Sequence, residues 1–144
     1  MTAFVLDASV AMSWLLSDGK PADRSYAGAV LEALKAPATR AAVPVTWGLE
    51  VANVIARAEA SNLLSEAQSE AFLEMLGNAP IQADDATFPK ALTDTLHIAR
   101  RYGLSSYDAS YLELALRSGL PLATLDTDLA KAARKAGVKR FTAP

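Results

Sequence analysis

The chain has 144 residues, of which 51% are hydrophobic and 21% charged, and its formal net charge is −2. That size and balance fit one globular domain and exclude both a disordered segment and two domains with separate cores. The absence of Cys excludes disulfides, thiolate zinc sites and a Cys nucleophile.

No apolar run approaches the roughly 20 residues of a membrane span. The N-terminus, "MTAFVLDASVAMSWLL", carries Asp7 inside its apolar stretch and lacks a basic leader, so no signal peptide is expected and a cytoplasmic protein is. In chain order, "AFVL" predicts a short strand and "ASVAMSWLL" a helix. "ADRSYAGAVLEALKA" predicts an amphipathic helix, with Tyr26, Val30 and Leu34 spaced by four. A Pro-punctuated connector follows, with a short strand expected around Ala42–Val45. Thr46 is the expected N-cap of the helix "TWGLEVANVIARAEA", and Ser65–Gln68 has the capping-box pattern of the next. "PIQAD" predicts a strand, and "TFPKALTDTLHIARRYG" and "SSYDASYLELALRSG" predict helices closed by glycine. "LPLATL" predicts a strand, "DTDLAKAARKAG" a helix, and "VKRF" a last short strand.

Strands alternating with helices imply βα crossovers. The expected fold class is therefore α/β, a three-layer α/β/α domain over residues 1–144 with a short, mainly parallel central sheet. In such sheets ligands bind beyond the carboxyl ends of the strands, near a change in strand order. Asp7 and Asp126 both stand at such ends, although either could simply cap the helix that follows. Asp108 and Glu50 are less easily explained. Asp108 shares a helix face with Tyr111, Leu112 and Ala115, and Glu50 lies in an apolar helix where its basic neighbour, Arg57, is two turns away.

Two carboxylates about 4 Å apart repel by roughly 4 kcal/mol at an effective dielectric of about 20. Four acids in apolar contexts therefore suggest a shared hard cation, Mg²⁺ or Mn²⁺, held by oxygen ligands. The charge is unevenly spread: residues 1–96 hold 6 Lys+Arg and 12 Asp+Glu, residues 97–144 hold 8 and 4. The positive excess lies largely in "KAARKAGVKR" and at Arg100 and Arg101, a patch able to meet phosphates or simply to face solvent.

"VLDASV", "PVTWGLEVANVIAR", "GLSSYDASYLELALRSGLPLATLDTDL" and "AARKAGV" together resemble a PIN-domain ribonuclease, and more narrowly a VapC-type toxin of a toxin–antitoxin pair. The resemblance spans essentially the whole chain. It implies that Asp7, Glu50, Asp108 and Asp126 are a catalytic, metal-binding acidic quartet, supported by Ser9, Asn53 and Thr124. Asp128 is expected to be a first-turn helix acid. The implied activity is Mg²⁺- or Mn²⁺-dependent endoribonucleolytic hydrolysis leaving a 5′-phosphate and a 3′-hydroxyl. Lys131, Arg134 and Lys135 become expected contacts to the RNA backbone.

The resemblance also implies a VapB-like antitoxin covering the acidic groove and a homodimer, with the apolar helices between Ala22 and Gly77 as the candidate interface. The alternative is a catalytically silent PIN-like module that binds RNA or protein. A haloacid-dehalogenase-like phosphatase needs an acid where this chain has Ser9, and a receiver domain needs paired acids and a late lysine that are not evident. The single histidine, His97, lies far in sequence from the four acids and reads as an ordinary helix residue, which excludes a two-histidine ribonuclease.

Overall fold

A computed structural model describes all of residues 1–144. The chain runs β1 (Thr2–Leu6), α1 (Ala8–Leu15), α2 (Pro21–Lys35), β2 (Thr39–Val43), α3 (Trp47–Ala60), α4 (Glu66–Gly77) and β3 (Ile81–Ala83). It continues through α5 (Thr87–Lys90), a π-helical turn (Ala91–Thr95), α6 (Leu96–Tyr102), α7 (Ser106–Ser118), β4 (Leu122–Ala123) and α8 (Thr127–Lys135). No helix is long and apolar enough to cross a membrane.

All three strand pairings are parallel, in the order β3-β2-β1-β4. The register places Phe4 beside Ala41 on one side of β1 and Val5 beside Leu122 on the other. Because side chains alternate along a strand, β1 feeds both faces. Phe4 and Leu6 pack with Val10, Val30 and Leu34 of α1 and α2, while Val5 packs with Tyr111, Leu112 and Leu129 of α7 and α8. A third cluster joins α1, α3 and α4 through Met12, Ile55 and Phe72, and Trp47 touches all three clusters. Chain direction across the sheet reverses at β1: the path moves out through β2 and β3, then returns to β1's free side as β4. The expected three-layer α/β/α architecture is therefore the observed one.

Four expectations need correction. β2 occupies Thr39–Val43 rather than Ala42–Val45, since Pro44 has no N–H to extend the ladder and Thr39, Ala41 and Val43 already form the buried face. Thr46 does not cap α3; its backbone is already helical and its buried hydroxyl has no partner. The helix expected over "TFPKALTDTLHIARRYG" is interrupted by the π-helical turn at Ala91–Thr95. "VKRF" is no strand but a single bridge, in which Lys139 O accepts from Leu122 N and Phe141 N donates to Leu122 O, both at 2.9 Å. Gly137, at φ +84°, turns the chain out of α8 so that Phe141 can stack on Phe4 with ring centroids 3.9 Å apart. The Ser65–Gln68 capping box is present as expected.

One polar network is only half local: Glu113 and Arg117 have the i,i+4 spacing of a helix pair, whereas Asp84 lies 33 residues from Arg117. Arg117 on α7 donates to both carboxylate oxygens of Asp84, at 3.1 and 2.6 Å, and through Nε to Glu113 Oε2 at 2.8 Å. This clamps α7 to the segment leaving β3. Burial alone would raise Asp84, but hydrogen bonds from Arg117 and its charge outweigh it and hold the carboxyl below its usual range. Glu113 is only 4% exposed, so losing the guanidinium leaves it without compensation. Arg117→Met is expected to lower stability by about 2 to 4 kcal/mol, measured by urea unfolding.

Candidate metal centre at the strand ends

Asp7 is the first residue beyond β1. It occupies the N-cap position of α1, yet its side chain makes no cap bond. Its Oδ2 instead accepts from Ser9 Oγ at 2.6 Å and from Thr124 Oγ1 at 2.7 Å. Each hydroxyl in turn accepts a backbone N–H: Leu125 N donates to Ser9 Oγ, and Asp126 N to Thr124 Oγ1, both at 3.0 Å. A hydroxyl has one proton, so accepting from an N–H directs that proton to the carboxylate. Ser9 and Thr124 thereby tie the end of β1 to the segment after β4.

Asp7 is 4% exposed. Burial raises its pKa, the two hydroxyl bonds oppose that, and the charge of Asp126 adds to it. Glu50, one turn into α3, is half-buried and accepts from Tyr111 Oη at 2.9 Å; Tyr111 itself is fully buried in α7. Burial raises Glu50, the tyrosine bond opposes, and Asp7 and Asp108 add repulsion. Asp108 lies in the first turn of α7, whose N-cap Ser105 accepts from Asp108 N at 3.1 Å. Its carboxyl is pushed up to about 6, chiefly by burial and then by the charges of Asp126 and Asp7. Asp126 caps α8 by accepting from Leu129 N at 2.8 Å, so the capping role open to it in the sequence is real.

The fold thus brings Asp7, Glu50, Asp108 and Asp126 into one electrostatic neighbourhood from four separate elements. None of them forms an ion pair, and the Glu50–Arg57 pair does not occur. They are not gathered to coordination distance: no three acids stand where they could hold one ion as they are. Bonds from Ser9, Thr124, Tyr111 Oη and Leu129 N occupy carboxylate oxygens of Asp7, Glu50 and Asp126. The donor set, oxygen throughout and without a competing cation, fits a hard divalent ion after side-chain rotation.

Asn53 is exposed and makes no hydrogen bond to an acid; Glu50 is served by Tyr111 instead. Asp128 is an exposed first-turn acid of α8 that adds to the charge felt by Asp108. Lys131, Arg134 and Lys135 are exposed, but α8 divides them. Lys131 and Lys135 line a cleft shared with Arg101, whereas Arg134 lines another with Lys139 and Arg140. His97 is exposed on α6, as expected of an ordinary helix residue.

Because Asp108 titrates near 6 when folded and at 3.8 otherwise, the folded state takes up a proton between those values that the unfolded chain releases. Metal-free stability should therefore fall as pH rises through this window. Asp7 and Glu50, also raised, act in the same direction. Asp84 opposes only below its ordinary value of 3.8. In EDTA the thermal midpoint should be higher near pH 5 than near pH 7.5, and Asp108→Asn should melt above wild type at the higher pH. A wild-type midpoint that drops on acidification over this range contradicts the reading.

The PIN domain family matches residues 4–135. The crystal structure of PAE2754 from Pyrobaculum aerophilum is similar in fold, with a TM-score of 0.65 and 22% identity, over 91% of this chain and 79% of that one. At that identity the likeness speaks for the fold alone. No curated protein matches the chain significantly. PIN domains are in general metal-dependent nucleases. With the match spanning all four acids and every strand from Phe4 onward, the chain belongs to the PIN domain family.

Proposed function

We propose that this protein is a metal-dependent endoribonuclease of the VapC toxin type, with Asp7, Glu50, Asp108 and Asp126 as its catalytic acids. The observation that carries the reading is the convergence of four carboxylates, unpaired with any cation, at the point where strand order reverses. Structural acids at such a cost normally find a basic partner. Here the nearest partners are hydroxyls, backbone N–H groups and each other.

Asp7, Asp108 and Asp126 would hold Mg²⁺ or Mn²⁺, with Glu50 as a further ligand. When bound, the ion supplies Lewis-acid stabilisation of the phosphoryl oxygens and activation of water. The chain's own contribution is positional. Ser9 and Thr124 hold the Asp7 carboxylate in one orientation, and Tyr111 does the same for Glu50 from a fully buried ring. The floor beneath the acids is the dry junction of β1 and β4, which strengthens every charge interaction above it.

A VapB-like antitoxin and a homodimer belong to the same reading, as does a cytoplasmic location where RNA is available. Leu49 and Leu63, 74% and 68% exposed between Ala22 and Gly77, support an apolar interface there. The second reading is a catalytically silent PIN-like binding module, and the observation on its side is that the acids are not drawn together.

Cleavage of single-stranded RNA separates the two. Wild type should cut with Mg²⁺ or Mn²⁺ and not in EDTA, and Asp7→Asn should lose about 100-fold or more in rate while remaining folded by circular dichroism. Equal cleavage by wild type and Asp7→Asn would make the assignment wrong.

A further inference from the structure

We propose that the cleft between the end of α6 and α8, walled by Arg101 and Tyr102 on one side and by Lys131 and Lys135 on the other, holds phosphates of single-stranded RNA beside the bond to be cut. The proposal rests on the ribonuclease reading and names where its substrate lies. The cleft encloses about 470 Å³, within the range of ligand-binding cavities. Its walls come from two helices well separated in the chain, so the cluster is a product of the fold and not of a basic run.

Charge is the first argument. Lys131 and Lys135 are one turn apart on α8, a spacing at which like charges repel, and Arg101 faces them from the last turn of α6. None of the three forms an ion pair, and Asp128 is the one acid in the wall. Three cations against one carboxylate leave an excess that a polyanion relieves. The Arg101 guanidinium lies 5.7 Å from the Tyr102 ring centroid, which keeps it over the cleft's aromatic wall.

Continuity with the acids is the second. Gly103, in the left-handed region at φ +64°, ends α6 and sends the chain through Leu104, a cleft residue, to Ser105. Ser105 caps the turn that carries Asp108. On the opposite wall, Asp128 is two residues from Asp126 on the same helix. Both walls of the cleft are therefore continuous along the chain with segments bearing the proposed catalytic acids, and the charge of the wall residue Asp128 is felt by Asp108. Across α8, the cleft holding Arg134 is different in kind, because Arg140 there is already engaged 3.8 Å over the Tyr26 ring.

Binding of a fluorescein-labelled single-stranded RNA of mixed sequence, measured in EDTA across a salt series, tests this. The triple variant Arg101→Gln, Lys131→Gln, Lys135→Gln should bind roughly tenfold or more weakly at low salt. Its log–log salt slope should shrink by about 2, at ~0.7 for each single-strand phosphate that is no longer neutralised. The charge-matched triple Lys20→Gln, Arg24→Gln, Lys35→Gln on and beside α2 should bind like wild type. Wild-type affinity and slope in the cleft variant, from a protein that still cleaves RNA, would overturn the cleft while leaving the nuclease reading intact. Equal losses in both triples would reduce the effect to net charge and overturn it too. A wild type that neither binds nor cuts RNA would remove both.

Discussion

The structure turns on one desolvated carboxylate. Asp7 ends the central strand at the only place where the sheet's path reverses, and burial there disfavours its charge. The fold answers with two hydroxyls, from Ser9 and Thr124, each oriented by a backbone N–H from the segment after β4. That small lattice sets the height at which β1 and β4 finish together. Asp126, whose N–H donates into that lattice, caps α8 with its own side chain. Glu50 and Asp108 complete the ring from α3 and α7, held by Tyr111 and by the Ser105 cap. Four mutually repelling acids held at one spot carry a cost in stability, and such clusters are where functional sites concentrate.

Much of this was legible in the sequence because it obeys local rules. Apolar runs stopping at aspartate marked the strand ends, and the capping box and the Gly103 and Gly119 stops marked helix limits. The anomaly of acids on apolar faces singled out Asp108 and Glu50. What stayed hidden depends on distance along the chain. Tyr111 looked like part of a buried stripe, which it is, but its bond to Glu50 spans 61 residues. The Arg117 clamp on Asp84 spans 33 and leaves no trace in any window of the sequence. Asn53 lies one helical turn from Glu50 on the same helix, but its exposed side chain makes no hydrogen bond to an acid.

The basic C-terminal third shows the same division. As a run of letters, Lys131, Arg134 and Lys135 form one patch. On a helix with about 3.6 residues per turn they part, with Lys131 and Lys135 turned toward α6 and Arg134 toward the returning C-terminal segment. Arg101 joins the first pair only through tertiary packing. A net charge of −2 therefore conceals a molecule whose acids and bases are sorted side by side, the arrangement a nuclease needs if a metal and a polyanion are to meet.

The central claim is that the four carboxylates form a divalent-cation site, and ligand linkage measures it without reference to any substrate. Thermal unfolding of wild type should shift upward as Mn²⁺ is titrated, since an ion bound only by the folded state at about 100 times its dissociation constant adds about 2.7 kcal/mol. Asp7→Asn, starting from a higher metal-free midpoint, should respond weakly or not at all. A wild-type midpoint indifferent to millimolar Mn²⁺, or one that rises equally in Asp7→Asn, would contradict the account.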